Sequence, residues 1–142
     1  MAAARICLIL LGLFSFSFPL FADEAADFKQ GVALYDAGKF SVAAKVFKQL
    51  TATQPRNDAY VYWLGKCYGR RAEKASWFTA LKYARMTRDA LERAVALNPN
   101  NLDAVLDLAT YYSDAPGFLG GDSDKATKLR AHAATLATTS AN

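Results

Sequence analysis

The sequence is short of the residues that most chemistry requires. Of its 142 residues only one is histidine and two are cysteine. Cys7 lies in the apolar N-terminal stretch, so beyond that stretch Cys67 stands alone and no internal disulfide can form. A lone cysteine in a helical pattern reads as a small buried hydrophobe rather than a reactive thiol. The motifs of a zinc hydrolase or of a nucleophile elbow do not occur. Cys67 and His132 are the one pair from which a thiol-dependent enzyme could be built, and they stand as a remote alternative. Asp114, Asp122 and Asp124 lack the alternating carboxylates and terminal glutamate of a calcium loop, and helix capping explains Asp122 and Asp124 better. The expectation is a protein with no catalytic residue, no cofactor and no metal.

Proline is also scarce, at four residues, and each one punctuates. No apolar run is long enough to span a bilayer. The stretch from Ile6 to Phe21 is interrupted by Pro19 and falls short of the roughly 20 residues a spanning helix needs. A short apolar run behind a positive residue and ahead of a small one describes a secretory signal. Arg5 supplies the charge, Ala22 the small residue, and Asp23 and Glu24 would open the mature chain. Residues 1–22 are therefore read as a signal peptide cleaved after Ala22, with an uncleaved anchor as the lesser alternative. Either form places the remainder outside the cytoplasm, periplasmic or secreted. A lipoprotein reading fails, because the apolar run follows Cys7 instead of leading up to it.

What the chain does have is self-similarity. Residues 50–58, LTATQPRND, and residues 94–103, AVALNPNNLD, each end a helical pattern in proline and turn formers. Proline cannot continue a helix and biases the residue before it away from helix, so both are helix ends. Pro55 and Pro99 lie 44 positions apart (99 − 55), about ten more than the roughly 34 of a tetratricopeptide unit. Three helix pairs follow. The first runs from about Ala25 to Ala37 and from Phe40 to Thr53, turning at Gly38, with Phe40, Ala43, Phe47 and Leu50 as its apolar stripe. The second opens with Asp58 as N-cap and has a long partner helix from Trp77 to Leu97, whose apolar positions include Trp77, Leu81, Ala84, Leu91, Ala94 and Val95. The third starts at Leu102, breaks at APGFLGGD (115–122), and ends in a helix capped by Asp122 with Ala126, Leu129, Ala133 and Leu136 on one face. Residues 23–138 form this helical repeat domain and 139–142 a flexible tail.

These residues resemble the tetratricopeptide repeat family. The first unit carries Gly31, Gly38, Phe40, Ala43, Phe47 and Pro55 at matching positions. The second carries Leu64, Gly65, Tyr68, Ala94 and Pro99, and the third Leu108, Ala109 and Tyr112. Asp27 and Gln30 depart from the pattern. The combination of YGRxAE, a long helix ending AVxLxP and an APxxLGGD turn is similar to a bacterial exported branch of the family. The resemblance implies an all-α fold, a right-handed superhelical stack of about three helix hairpins with the second elongated. It also implies binding of a protein partner and no activity.

In this family the first helices of successive units line a concave groove. The positions facing it map to Phe28, Val32 and Tyr35, then Tyr62, Lys66 and Arg70, then Leu106 and Thr110. Aromatic rings with two cations fit a peptide or helix of a partner protein that carries apolar side chains and some negative charge. The plainer alternative is that some of these side chains bury against a neighbouring unit. The family's clamp for acidic C-termini needs lysine and asparagine where Phe28 and Val32 stand, so that mode is disfavoured.

Between Lys66 and Arg93 the basic residues outnumber the acidic ones eight to three, with Lys66, Arg70 and Lys74 at four-residue steps. The plain reading is a solvated helix face; the sharper one is peripheral contact with an anionic membrane or cell-wall surface. Nucleic acid is not expected, since no reading motif accompanies the charge. Self-assembly into a homo-oligomer is the further alternative, through Ala131, Ala134 and Thr135 on the outer face of the last helix.

Overall fold

The computed structural model describes residues 20–139, and among them every regular element is helical. The elements are α1 (Leu20–Asp36), α2 (Phe40–Thr53), α3 (Asp58–Glu73), α4 (Trp77–Leu97), α5 (Leu102–Asp114), a 3-10 turn at Gly117–Leu119 and α6 (Ser123–Thr139). They pair as three hairpins in chain order. Each helix packs on its sequence neighbours, and α1 also reaches α3. No described helix is long and apolar enough to cross a membrane.

Both predicted proline stops terminate helices, and they do so with the same local geometry. The amide of Gln54 bonds to the carbonyl of Leu50 at 2.9 Å ahead of Pro55, as Asn98 bonds to Ala94 at 3.0 Å ahead of Pro99. In each turn the third residue beyond then caps the next helix: Asn57 Oδ1 accepts from the Tyr60 amide at 3.2 Å, and Asn101 Oδ1 from the Ala104 amide at 3.1 Å. The side-chain oxygen satisfies an amide that the first turn leaves without a helical partner. The expected cap at Asp58 is thus corrected to Asn57. Asp58 is occupied elsewhere, since its carboxylate accepts from the side-chain amides of Asn98 at 3.1 Å and Asn101 at 2.7 Å. The two turns are stapled together, and with them the first two units to the third.

Two boundaries differ from expectation. α1 begins at Leu20 instead of Ala25, because the sequence LFADE contains no residue that resists helix. The Glu24 carboxylate also accepts from the side-chain amide of Gln54, which ties this turn to the end of α2. The signal peptide assigned to residues 1–22 falls mainly on residues 1–19, outside the described residues, and its expected cleavage point lies in the first turn of α1. At the other end α6 continues to Thr139, one residue into the expected tail; residues 140–142 lie outside the described residues.

The core is two apolar clusters that share α3. The first joins α2 and α3 through Ala43, Ala44, Phe47, Leu50, Leu64 and Cys67, with Phe28, Val32 and Tyr35 of α1 against it. The second joins α3 to α6 through Val61, Tyr62, Leu91, Ala94, Leu108, Tyr112 and Ala126. Val61 joins one cluster and Leu64, one turn further along α3, joins the other, while Trp63 touches both. Phe47 is fully buried with its ring stacked 5.7 Å from Trp63. It lies so close to α1 that a Cβ on Gly31 would come within 2.7 Å of it.

The long α4 is where the stripe expected from sequence fails. Leu91 and Ala94 are buried, but Trp77 is 66% exposed. Arg88 Nη1 donates to the Leu119 carbonyl at 3.2 Å, just past the end of α5. The part of α4 before Arg88 therefore extends beyond α5, and among the described residues no third layer covers its first turn. Past α5 the chain reverses through Ala115 to Asp122. Gly120 adopts a left-handed φ of 90°, and a Cβ at Gly121 would stand 1.7 Å from the Ala115 carbonyl oxygen, so neither position accommodates a side chain. Asp122 Oδ1 then accepts from the amides of Asp124 at 3.1 Å and Lys125 at 3.0 Å, the cap expected of it.

Candidate functional site

An open groove of about 350 Å³ runs across the first helices. α1 supplies Tyr35, α3 supplies Lys66, Gly69, Arg70 and Glu73, and α5 supplies Asp107, Thr110 and Tyr111; Thr87 and Leu91 of α4 close its floor. Helical spacing explains the placement. Lys66, Arg70 and Glu73 recur at steps of four and three on one face of α3, as Asp107 and Thr110 do on α5.

Four of the eight sequence-selected residues meet here: Tyr35, Lys66, Arg70 and Thr110. The others do not line the groove. Phe28 packs its ring among those of Tyr60, Phe47 and Trp63, at centroid distances of 5.6, 5.9 and 6.3 Å. Val32 rests on the same cluster. Both side chains therefore serve the core of the first hairpin. Tyr62 is only 6% exposed and lies beneath the groove, with its hydroxyl donating to Asp107 at 2.9 Å. Leu106 is exposed on α5 but one position away from the lining face.

Asp107 and Glu73 are the residues that sequence reasoning missed, and they change the charge of the site. Glu73 pairs with Arg70 at 2.5 Å on an exposed edge. Such a pair is worth about 0 to 1 kcal/mol and yields easily to a competing ligand. The ammonium of Lys66 sits over three rings, 4.6 Å from Trp63, 5.3 Å from Tyr35 and 5.4 Å from Tyr62. Among the described residues no carboxylate pairs with it. The ring faces attract the cation while leaving its N–H donors for another acceptor. Two cations and two carboxylates thus face one open groove. Burial raises the phenols of Tyr35 and Tyr111 above their ordinary values, against the opposing pull of Arg70 and Arg88 respectively, so both hydroxyls stay protonated at neutral pH.

The residues of the thiol-enzyme alternative have separate surroundings. Cys67 is fully buried in the first cluster, and burial pushes its thiol up to about 12 against the pull of Arg71 and Lys66. His132 on α6 has its Nε2 2.8 Å from the carbonyl oxygen of Pro99. A buried, protonated thiol in the first hairpin's core is not poised for nucleophilic attack. Among the described residues no three histidine, cysteine or acidic side chains converge as a metal site.

A comparison with curated proteins finds no match. The family model for the tetratricopeptide repeat matches residues 28–88, from the middle of α1 to the middle of α4. This repeat typically serves protein interaction rather than catalysis. The matched span contains the α1 and α3 walls of the groove, and α5 and α6 add a third hairpin with the same capped proline turn ahead of it. The described residues thus form a three-hairpin helical stack, of which residues 28–88 match the tetratricopeptide repeat.

Proposed function

We propose that the protein is an exported adaptor that holds a peptide or helix of a partner protein in the groove across α1, α3 and α5. The observation that carries this reading is the convergence of Tyr35, Lys66, Arg70, Asp107 and Thr110, from three successive first helices, on one open cavity. The ligand that fits has an apolar body for the tyrosine faces, an acidic group for Lys66 and Arg70, and a donor for Asp107. Export rests on Arg5, the Ile6 to Phe21 run and Ala22, and on the likeness of the 115–122 turn to the exported branch. Sequencing the N-terminus of the protein recovered from its native cell tests export: a chain beginning at Asp23 supports cleavage, and a retained Met1 argues for the anchor. For the groove, substituting Arg70 and Thr110 together by glutamate should abolish partner capture while the helical circular dichroism is kept. Retained capture would assign the groove to structure alone.

Self-assembly is the second reading. It is supported by the exposure of Ala131, Ala134 and Thr135 on α6, the terminal helix of the described stack, where a polar capping face is usual. Light scattering that finds a strict monomer at high concentration removes it.

A further inference from the structure

The side of the molecule formed by α2 and the first half of α4 is free of acidic residues. From Ala37 to Asn57 the only charged residues are Lys39, Lys45, Lys48 and Arg56; from Lys74 to Arg88 they are Lys74, Lys82, Arg85 and Arg88. These segments form two adjoining open depressions of about 360 and 260 Å³ that share Ser41, Arg71 and Tyr83. Lys39, Lys74, Lys45, Lys48, Lys82 and Arg71 line them, and no carboxylate does. Glu73, which directly precedes Lys74, is engaged by Arg70.

The cations here are propped on rings instead of being neutralised. The Arg71 guanidinium lies 4.2 Å from the Tyr83 ring, which stacks at 6.1 Å on Tyr68, and Lys74 lies 4.9 Å from Phe40. Among the described residues none of the five lysines forms an ion pair. Concentrating one sign of charge in a depression focuses the potential and attracts the opposite sign.

A soluble anion would need no more than this, but the surface has a second component. Trp77 and Phe78 are 66% and 84% exposed at the start of α4, on the part that extends beyond α5, and Val42 is 48% exposed. Phe78 lies one turn before Lys82 on the same face of α4, and Ala75, two residues ahead of Trp77, lines the first depression together with Val42. Adjacent exposed tryptophan and phenylalanine with lysines behind them is the composition of a contact with the membrane interface, where rings settle at headgroup depth and lysines meet phosphates.

We propose that this face docks on the surface of an anionic lipid bilayer, Trp77 and Phe78 entering the interface and the lysines of α2 and α4 meeting the headgroup phosphates. It is built on α2 and α4, whereas the walls of the groove are α1, α3 and α5, so a partner could be held at the membrane while both surfaces are engaged.

The test uses the folded chain from Asp23, so that the apolar leader makes no contribution, in co-sedimentation with vesicles. Vesicles of phosphatidylcholine alone are compared with vesicles of phosphatidylcholine and phosphatidylglycerol. Binding to the mixed vesicles only is expected, with a blue shift of tryptophan emission that Trp77→Phe removes without releasing the protein. Lys45→Glu with Lys82→Glu, both exposed positions, should weaken binding about tenfold or more. Trp77→Ala with Phe78→Ala should weaken it about tenfold as well, and circular dichroism of each variant checks that the helices are kept. Equal binding to both compositions, absence of binding, or an aromatic double variant that binds as well as the parent would overturn the proposal. The last result, with polyphosphate displacing the protein, would identify a site for soluble polyanions instead.

Discussion

The hydroxyl of Tyr62 on α3 donates a 2.9 Å hydrogen bond to the carboxylate of Asp107 on α5, across the floor of the groove. This one contact fixes the spacing of two neighbouring first helices and holds Asp107 at the position where a ligand would meet it. Tyr62→Phe keeps the buried ring and removes only the bond, so a loss of about 1 kcal/mol is expected, read from the urea midpoint. Tyr62→Ala would also open a cavity and cost about 3 kcal/mol or more. If Tyr62→Phe and Asp107→Ala prove additive in a double-mutant cycle, the bond does not join the helices.

The first hairpin closes on Phe47. Phe47→Ala should cost about 3 to 5 kcal/mol through the cavity it leaves under Trp63. Gly31→Ala drives a methyl against the same ring and should cost about 1 to 3 kcal/mol. Because both act at one contact, Gly31→Ala made in a Phe47→Leu background should be less costly than in the parent. Equal cost in the two backgrounds would place the strain elsewhere.

The turn after α5 gives a sharp contrast between glycines. Gly121→Ala collides with the Ala115 carbonyl oxygen and forces the backbone to move, so the melting temperature should fall steeply. Gly117→Ala faces open space and should change stability by no more than about 0.5 kcal/mol. Comparable losses at both positions would mean that the turn is not held as described.

Burial of Cys67 makes a statement about pH. Its thiol is raised to about 12, above the roughly 8.5 of an exposed cysteine, so folding favours the protonated form. The stability that this supplies is whole below about pH 8.5 and is lost progressively as pH rises toward the folded value. Burial also raises the phenols of Tyr62 and Tyr112 and acts in the same direction, reinforced by the adjacent Asp107 and Glu92 carboxylates. The melting temperature should therefore decline above about pH 9. A disulfide reagent should modify Cys67 only when the protein is unfolded; ready labelling of the native protein would contradict its burial.

Much of the fold was legible because its boundaries are written in local chemistry. Pro55 and Pro99 stop helices wherever they occur, and the bounds expected for α2 and α4 coincide with those observed. Asn57 and Asp58 were harder, since both are good caps. The choice between them is made by Asn98 and Asn101, distant residues that claim the Asp58 carboxylate. Trp77 fits a helical stripe, and its exposure depends on where α5 ends, which no local pattern on α4 records. In the groove, the face of α5 was misplaced by one position, at Leu106 instead of Asp107. The polar stripe Asp103, Asp107 and Thr110 was the available signal. Phe28 and Val32 occupy groove positions by family register, yet the rings of Phe47, Tyr60 and Trp63 offer Phe28 an apolar partner that solvent cannot.

The central claim is that the groove across α1, α3 and α5 holds a protein partner. Photo-crosslinking in the native compartment tests it most directly, with one probe at Thr110, exposed on the groove wall, and a control at Arg130, exposed on α6. A single partner protein captured from Thr110 and not from Arg130, and lost when Arg70 is changed to glutamate, is the expected result. Capture of the same proteins from both positions, or capture of this chain by itself from Arg130 alone, would contradict it.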